Sequence, residues 1–435
     1  MSATESLDLM RDALAKAIDD GTLAKATFNQ PSTTTTGLQT YNLEAPAKNL
    51  VPWLTPLRNQ IPRVGGGFAI GANWKAVTGY NTTQLSAGIV EGRRGALIDY
   101  SMKEYYAAFR TIGLESSASF EAVHAGVNFD DIRARAVTGL LRSLMLEEEK
   151  IILGGNATNS LGTTPTPTLT TSTSGGSIGA TITVSVICVG LSYDAWRRQG
   201  TATTTLAQTY SRTNTDATSD TINAGTAIKS AAATIATGAG STNSVTAKVA
   251  PMRGAYAYAW YAGTAGNERF VSVTTVSQAV ITSLPGASQL ASALASTDYS
   301  ADATIHDGLL GMIGNSTYGS YYSAVTAGSS LTADGAGGIV EFDTALRWFY
   351  DNLRMLPDQI WLATQEVTTV KKIIMQQGAS TALSRFNFTM TQQGLVGGAV
   401  PTGYISPYGD NRQLTISQHP YLAPGTVLFV SHSVP

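Results

Sequence analysis

Apolar positions recur at helical spacing in only a few stretches of this chain. Leu7, Met10, Leu14 and Ile18 mark a short amphipathic helix over 5–19, stopped at Gly21. The strongest pattern runs over 129–153, where Phe129, Ile132, Val137, Leu140, Leu141, Leu144, Ile151 and Ile152 form one stripe. Asn128 is placed to cap that helix, Asp130 and Asp131 suit its first turn, and Gly154-Gly155 ends it. Its length would be about 37 Å. A third helix is expected at 344–356, capped by Asp343, with Leu346, Phe349, Tyr350 and Leu353 inward and Pro357 as its stop. A fourth follows at 366–377, closed by Gly378.

Period-two alternation accounts for most of the rest. Residues 63–111 predict a long β-ribbon, with Phe68 to Thr78 running outward and Gly95 to Phe109 running back. Its glycine-containing tip carries Glu91, Arg93 and Arg94. An isolated two-stranded ribbon is marginal in water, so this one needs a surface to rest on. Further strands are expected at 180–191, 244–250, 255–262 and 270–283, forming a β-sandwich-like region. In Tyr256-Ala-Tyr-Ala-Trp260 one strand face is bulky and the other small. Short strands at 359–363, 414–416 and 426–431, interleaved with the third and fourth helices, indicate an α+β core.

Composition adds boundaries. From Thr22 to Pro62 the chain holds prolines at 31, 46, 52, 56 and 62 and a threonine run at 33–36, which predicts an extended arm. From Asn156 to Ala287 only 11 of 132 residues are charged, against 47 in the other 303. The expected organisation is therefore an N-terminal helix and arm (1–62), the ribbon (63–111) and a segment built on the long helix (112–155). An inserted β-rich domain (156–287), a mixed region (288–418) and a short return (419–435) follow.

Charged residues make up 13% of the chain, well under the usual quarter, and the net charge is −2. No basic excess is present to coat phosphates. At 43% hydrophobic the chain is not of disordered composition. The single cysteine, Cys188, excludes a disulfide framework within one chain. The start lacks a signal-peptide pattern, and the longest apolar stretch is too short to span a bilayer, so a soluble cytosolic chain without membrane association is expected. So sparse a charge suits a surface covered by neighbouring chains.

Chemistry is not legible. Phosphate-loop, dinucleotide, zinc-protease and serine-hydrolase motifs are all missing from the sequence. His306-Asp307 is a dyad only by adjacency in a serine-rich chain. No catalytic residue, cofactor or metal is expected, and the chain does not read as an enzyme. Glu147, Glu148 and Glu149 crowd the end of the long helix, where the macrodipole disfavours them. They are read either as a solvated face or as partners for basic residues of another segment or subunit.

The order of elements carries a resemblance. Leu50-Val-Pro-Trp-Leu-Thr-Pro-Leu-Arg-Asn-Gln-Ile-Pro-Arg looks like the end of an N-terminal arm. Asn73-Trp-Lys-Ala-Val-Thr-Gly and Ser101-Met-Lys-Glu-Tyr-Tyr-Ala look like the strands of an extended loop. Glu147-Glu-Glu-Lys-Ile-Ile-Leu-Gly-Gly-Asn-Ala-Thr looks like the end of a spine helix, and His419-Pro-Tyr-Leu-Ala-Pro-Gly-Thr like a late turn. Together they resemble the major capsid proteins of tailed double-stranded DNA bacteriophages, the Hong Kong 97-type fold. The likeness covers the chain outside the insert.

That resemblance implies a peripheral domain on the spine helix, an axial domain over 288–418, and a β-sandwich-like insert. It implies an icosahedral shell of hexamers and pentamers enclosing packaged DNA without sequence specificity. A separate scaffolding protein, a portal and a decoration protein are the implied partners, with assembly in the bacterial cytoplasm and residence in the virion. Trp74, Lys75, Arg93 and Arg94 of the ribbon are the expected inter-subunit contacts, with Glu147, Glu148 and Glu149 as acidic partners. Some of these capsids cross-link a loop lysine to a neighbour's asparagine; Lys75 would be that lysine, though a solvated ribbon lysine is the simpler reading. The family usually returns more chain after the axial domain, so either the tail here is short or the chain continues. The alternative from another class is a β-rich adhesion protein that takes carbohydrate through the threonine-rich insert.

Overall fold

A computed structural model describes residues 8–13, 15, 51–64, 70–80, 87–127, 130–200, 204–335, 337–376, 389–391, 394–396, 402–409 and 412–432. The fold is α+β with several small sheets. Helix α1 (Pro56–Gln60) precedes strands β1 (Gly71–Tyr80) and β2 (Tyr100–Ala108), then helices α2 (Phe120–Ala125) and α3 (Ile132–Gly154). Strands β3 (Thr168–Ser172) and β4 (Thr183–Leu191), helix α4 (Tyr193–Gln199), and strands β5 (Thr209–Thr213), β6 (Ser219–Asn223) and β7 (Ala233–Ala236) follow. Then come β8 (Ser244–Lys248), β9 (Ala257–Gly263), β10 (Arg269–Thr274), β11 (Gln278–Ile281), α5 (Leu309–Gly314), α6 (Val340–Leu353), β12 (Gln359–Leu362) and α7 (Thr364–Gln376). The last strands are β13 (Thr389–Thr391), β14 (Gly394–Val396), β15 (Gly403–Ile405), β16 (Gln413–Gln418) and β17 (Val427–Val430).

Contacts group the chain into two units. The first comprises Met1–Pro52 with Ser116–Thr138. Residues 8–13 and 15 are helical, inside the first predicted helix; the Thr/Pro-rich arm up to residue 50 lies outside the described residues. In α2 the Ser119 hydroxyl accepts the Ala122 N–H as an N-cap. Asn128, the expected cap of the long helix, also lies outside the described residues. The helix starts at Ile132, and Asp131 does the capping by accepting the N–H groups of Arg133 and Ala134.

The second unit, Trp53–Glu115 with Gly139–Pro435, holds the sheets. Sheet β10-β9-β4-β7 packs on sheet β11-β8-β3. Val184, Val186 and Cys188 of β4 and Tyr258 and Trp260 of β9 meet Val245, Ala247, Ala279 and Ile281 in one core. The two sheets thus pack face to face, with Tyr258 and Trp260 turned inward, while Tyr256 packs in the other core and gives its hydroxyl to the Leu310 carbonyl. The small face, with Ala257 and Ala259, is covered by Leu206, Ala291 and Leu294. Packing therefore continues past the expected edge at Ala287. Strand β4 is buried on both faces, which is why its sequence is an apolar run instead of an alternation.

The second core is a mixed sheet in the order β15-β16-β12-β17, with β12 and β16 parallel and the other pairs antiparallel. Alternation along β12 divides its faces. Ile360 and Leu362 pack with Phe342 and Leu346 of α6 and Val370 of α7. Trp361 packs on the other face with Leu57, Leu153, Tyr193, Leu310 and Leu422. Tyr193 belongs to the inserted segment, so the sandwich shares this core. Its ring also explains Gly154, where a Cβ would lie 2.1 Å from the Tyr193 Cδ1.

Three expectations need correction. Asp343 does not cap the third helix: α6 begins at Val340 after Ile339, and the Asp343 carboxylate accepts the Tyr404 hydroxyl at 2.7 Å. Starting four residues early rotates the inward face to Phe342, Ala345 and Leu346, leaving Tyr350 and Leu353 exposed. Pro56 does not extend the chain but opens α1, where its fixed φ and missing N–H fit the first turn. The stripe along α3 is buried only near its C-terminus, at Ile151 and Leu153, while Val137 and Leu141 are exposed.

Candidate functional site

Strands β1 and β2 pair antiparallel from Gly71 opposite Ala108 to Tyr80 opposite Tyr100, with an irregularity between Val77 and Gly79. The ribbon is thus shorter than 63–111; residues 65–69 and 81–86 lie outside the described residues. Its apolar side chains are mostly bare: Val77, Tyr80, Tyr100, Met102 and Tyr106 are exposed, and Trp74 is 42% exposed. Period-two geometry puts Val77 and Lys75 on the face of Trp74's neighbours, not on Trp74's own. Trp74 stands opposite Tyr105 and stacks on it at 5.6 Å. Tyr105 in turn stacks on Tyr318 at 6.1 Å, and the Lys103 ammonium donates to the Thr317 carbonyl. This three-ring stack roots the ribbon on the turn at 316–318.

Lys75 stands opposite Glu104 and is exposed. Arg93 and Arg94 are exposed beside a turn in which the Arg93 N–H donates to the Val90 carbonyl at 3.0 Å. Gly92 occupies φ +80° there, as the third position of a type II turn demands. Ile89, Val90, Leu97 and Ile98 flank the two arginines and are exposed as well.

The three glutamates of α3 each take partners from another segment of the same chain. Glu147 accepts from Arg197 at 2.8 Å and from Lys150 at 2.9 Å. Burial pushes its carboxyl up, but the two cations outweigh that and hold it below the usual range. Glu148 pairs with Arg58 at 2.5 Å and also with Arg63. Glu149 is fully buried. Its Oε1 accepts the Leu57 N–H at 2.9 Å and lies 2.8 Å from His419 Nε2; its Oε2 accepts the Arg58 N–H at 2.7 Å.

These contacts explain why the placement survives the helix dipole. Thr55 offers α1 no side-chain cap, and the Glu149 carboxylate takes over, receiving two N–H groups of that helix's first turn. His419 Nδ1 accepts the Tyr421 N–H, so the Nε2–H tautomer satisfies both ring nitrogens. One carboxylate therefore joins the end of the arm, the long helix and the late turn. Arg58, Arg63, Arg197 and His419 were not singled out as its partners by sequence. The only sign was an acidic run at a helix end that local rules disfavour.

Other candidates dissolve. The Asp307 carboxylate accepts the N–H groups of Ala157 and Thr158 and the Thr158 hydroxyl, while His306 Nδ1 lies 3.2 Å from the Asp307 carbonyl, so no dyad forms. Tyr258 and Trp260, the aromatics of the insert's alternating strand, are buried between the sheets. Burial pushes the Cys188 thiol well above its ordinary value. Among the described residues no three His, Cys, Asp or Glu side chains gather to hold a metal, and no helix is long and apolar enough to cross a membrane. No protein-family model, curated protein or solved structure matches this chain.

Proposed function

We propose that the chain is a structural shell subunit, a major capsid protein of the Hong Kong 97 type, assembling with copies of itself around packaged double-stranded DNA. The observation that carries this reading is the ribbon: two strands with exposed aromatic and aliphatic side chains, held near their middle by Tyr105 and Lys103 on residues 317–318 and bare on either side. An isolated ribbon of this kind is marginal, and a neighbouring copy would supply the missing surface. Trp74, Lys75, Arg93 and Arg94 are its contact residues. The glutamates at 147–149 serve within the subunit: Glu148 and Glu149 fasten the end of the arm to the spine helix, and Glu147 fastens Arg197 of the inserted segment to it. Hexamers and pentamers, a separate scaffolding protein, a portal, a decoration protein, assembly in the host cytoplasm and residence in the virion belong to the same proposal.

The test is particle mass. Expressed with its neighbouring genes and measured by light scattering and negative-stain microscopy, the protein is expected as closed shells tens of nanometres across. A stable monomer of 45.5 kDa under those conditions would overturn the reading.

A further inference from the structure

The turn that carries Tyr318 is held by an arginine of the inserted sandwich. Arg253 lies in the connection between β8 and β9, where the Met252 N–H donates to the hydroxyl of the buried Tyr258 at 2.9 Å. Its guanidinium reaches the segment at the end of α5 in two directions. Nε donates to the Ile313 carbonyl at 2.8 Å, and Nη2 donates to the Ser320 carbonyl at 2.9 Å. Those carbonyls stand on either side of the 316–318 turn in the chain, so one planar fork clasps both of its ends. Among the described residues the hydrogen bonds of Arg253 all end on Ile313 and Ser320. The cation is thus spent on the clasp and not on a carboxylate.

Packing agrees with these bonds. The Tyr322 ring lies 5.6 Å from the guanidinium, and its hydroxyl donates to the Met252 carbonyl at 3.2 Å. The two backbones also meet, since a Cβ on Gly314 would lie 3.0 Å from the Gly254 Cα. Tyr256 and Thr158, both of the insert, hold the stretch just ahead through the Leu310 carbonyl and the Asn315 amide. Inside the turn, the Asn315 side chain accepts the Thr317 N–H, and Gly319 leaves it at φ +70°. Those local contacts shape the turn, and Arg253 fixes where it stands. The ribbon rests on this same turn, with Tyr105 stacked on Tyr318 and Lys103 donating to the Thr317 carbonyl.

We propose that the inserted sandwich positions the ribbon, and that Arg253 is the positioning residue through which it does so. The insert then has a part in assembly. With the clasp closed, Tyr318 and the Thr317 carbonyl stay at one place and the ribbon leaves the subunit in one direction. Without it the turn shifts, and the ribbon must be ordered again at each contact, which weakens that contact. The role of the ribbon between subunits belongs to the shell reading, on which this inference rests.

The experiment measures amide exchange along 71–80 and 100–108 in the full-length, unassembled protein. Wild type is compared with Arg253→Met, Tyr318→Leu and the double variant. Arg253→Met is expected to quicken ribbon exchange about threefold, with exchange in β4 and β9 unchanged. Because Arg253 acts through Tyr318, the double variant should exchange no faster than Tyr318→Leu alone. Unchanged ribbon exchange in Arg253→Met, or effects that multiply in the double variant, would overturn the proposal. Should Arg253→Met not fold, Arg253→Lys keeps the charge without the fork and must show the same quickening confined to the ribbon. Under assembly conditions Arg253→Met should close far fewer shells than wild type, and an equal yield would also overturn it. A wild type that forms no shells would sink the shell reading instead, because the exchange result is read on the free subunit.

Discussion

The ribbon and the sandwich are made of the same material and end in opposite states. Both are antiparallel strands that carry large aromatics, Trp74 and Tyr80 in one, Tyr258 and Trp260 in the other. Trp260 is fully buried and its Nε1–H donates to the Thr274 hydroxyl at 2.8 Å; Trp74 is 42% exposed. What separates them is a second layer. Strands β4 and β9 have β8 and β11 across the core, whereas β1 and β2 rest on Tyr318 and Thr317 and leave Val77, Tyr80, Met102 and Tyr106 exposed. Alternation decides which side chains share a face, and a second layer decides whether that face is dry.

The largest expected effect breaks the comparison at its strongest point. Trp260→Ala empties the sandwich core and should cost about 3–5 kcal/mol in urea unfolding. Trp74→Ala removes one ring of an exposed stack and should cost about 0.5–1.5 kcal/mol. In assembly the order is expected to reverse, with the Trp74 variant folding but failing to close shells. Equal unfolding costs would mean that the ribbon has a buried face after all.

A second contrast sits within three consecutive residues. Glu149→Gln keeps size but turns an acceptor into a donor against one of the α1 N–H groups or the histidine. Leaving a buried polar group unmatched costs about 1–3 kcal/mol. Glu147→Gln loses a partly exposed ion pair and should cost no more than about 1 kcal/mol. Chemical denaturation of the two variants side by side reads the difference.

These two contrasts also show what the sequence could and could not tell. Strands β4, β8 and β9 were readable as apolar or alternating runs bounded by turn residues, and they fall close to where they were expected; the single strand expected at 270–283 is β10 and β11, in different sheets, and β3, β5, β6 and β7 carry too few apolar residues to have been read. The α+β character of the rest followed from helices alternating with short apolar runs. Helix starts were less legible. Asp343 looks like a cap, but only the position of Tyr404, 61 residues away, reveals that its carboxylate has other work. The glutamate junction was half legible: the crowding at 147–149 signalled a need for partners. That those partners would be Arg197, Arg58 and His419 depends on contacts 50 to 270 residues distant. Local spacing carries no trace of them.

The smallest effect concerns the root of the ribbon, where the two regions differ in how their strands are held. Tyr318→Leu removes the ring on which Tyr105 stacks but leaves the turn at 316–318, whose cap is the Asn315 side chain. Global stability should change by less than about 1 kcal/mol, since one exposed aromatic pair is worth no more than that order. Local opening is another matter, because a strand pair without a second layer draws its protection from few contacts. Amide exchange along 71–80 and 100–108 should quicken by up to about fivefold, the equivalent of about 1 kcal/mol, while exchange in β4 and β9 stays unchanged. Were β4 and β9 to quicken in step with the ribbon, the two regions would open as one body, and the contrast between a layered sheet and a bare one would fall.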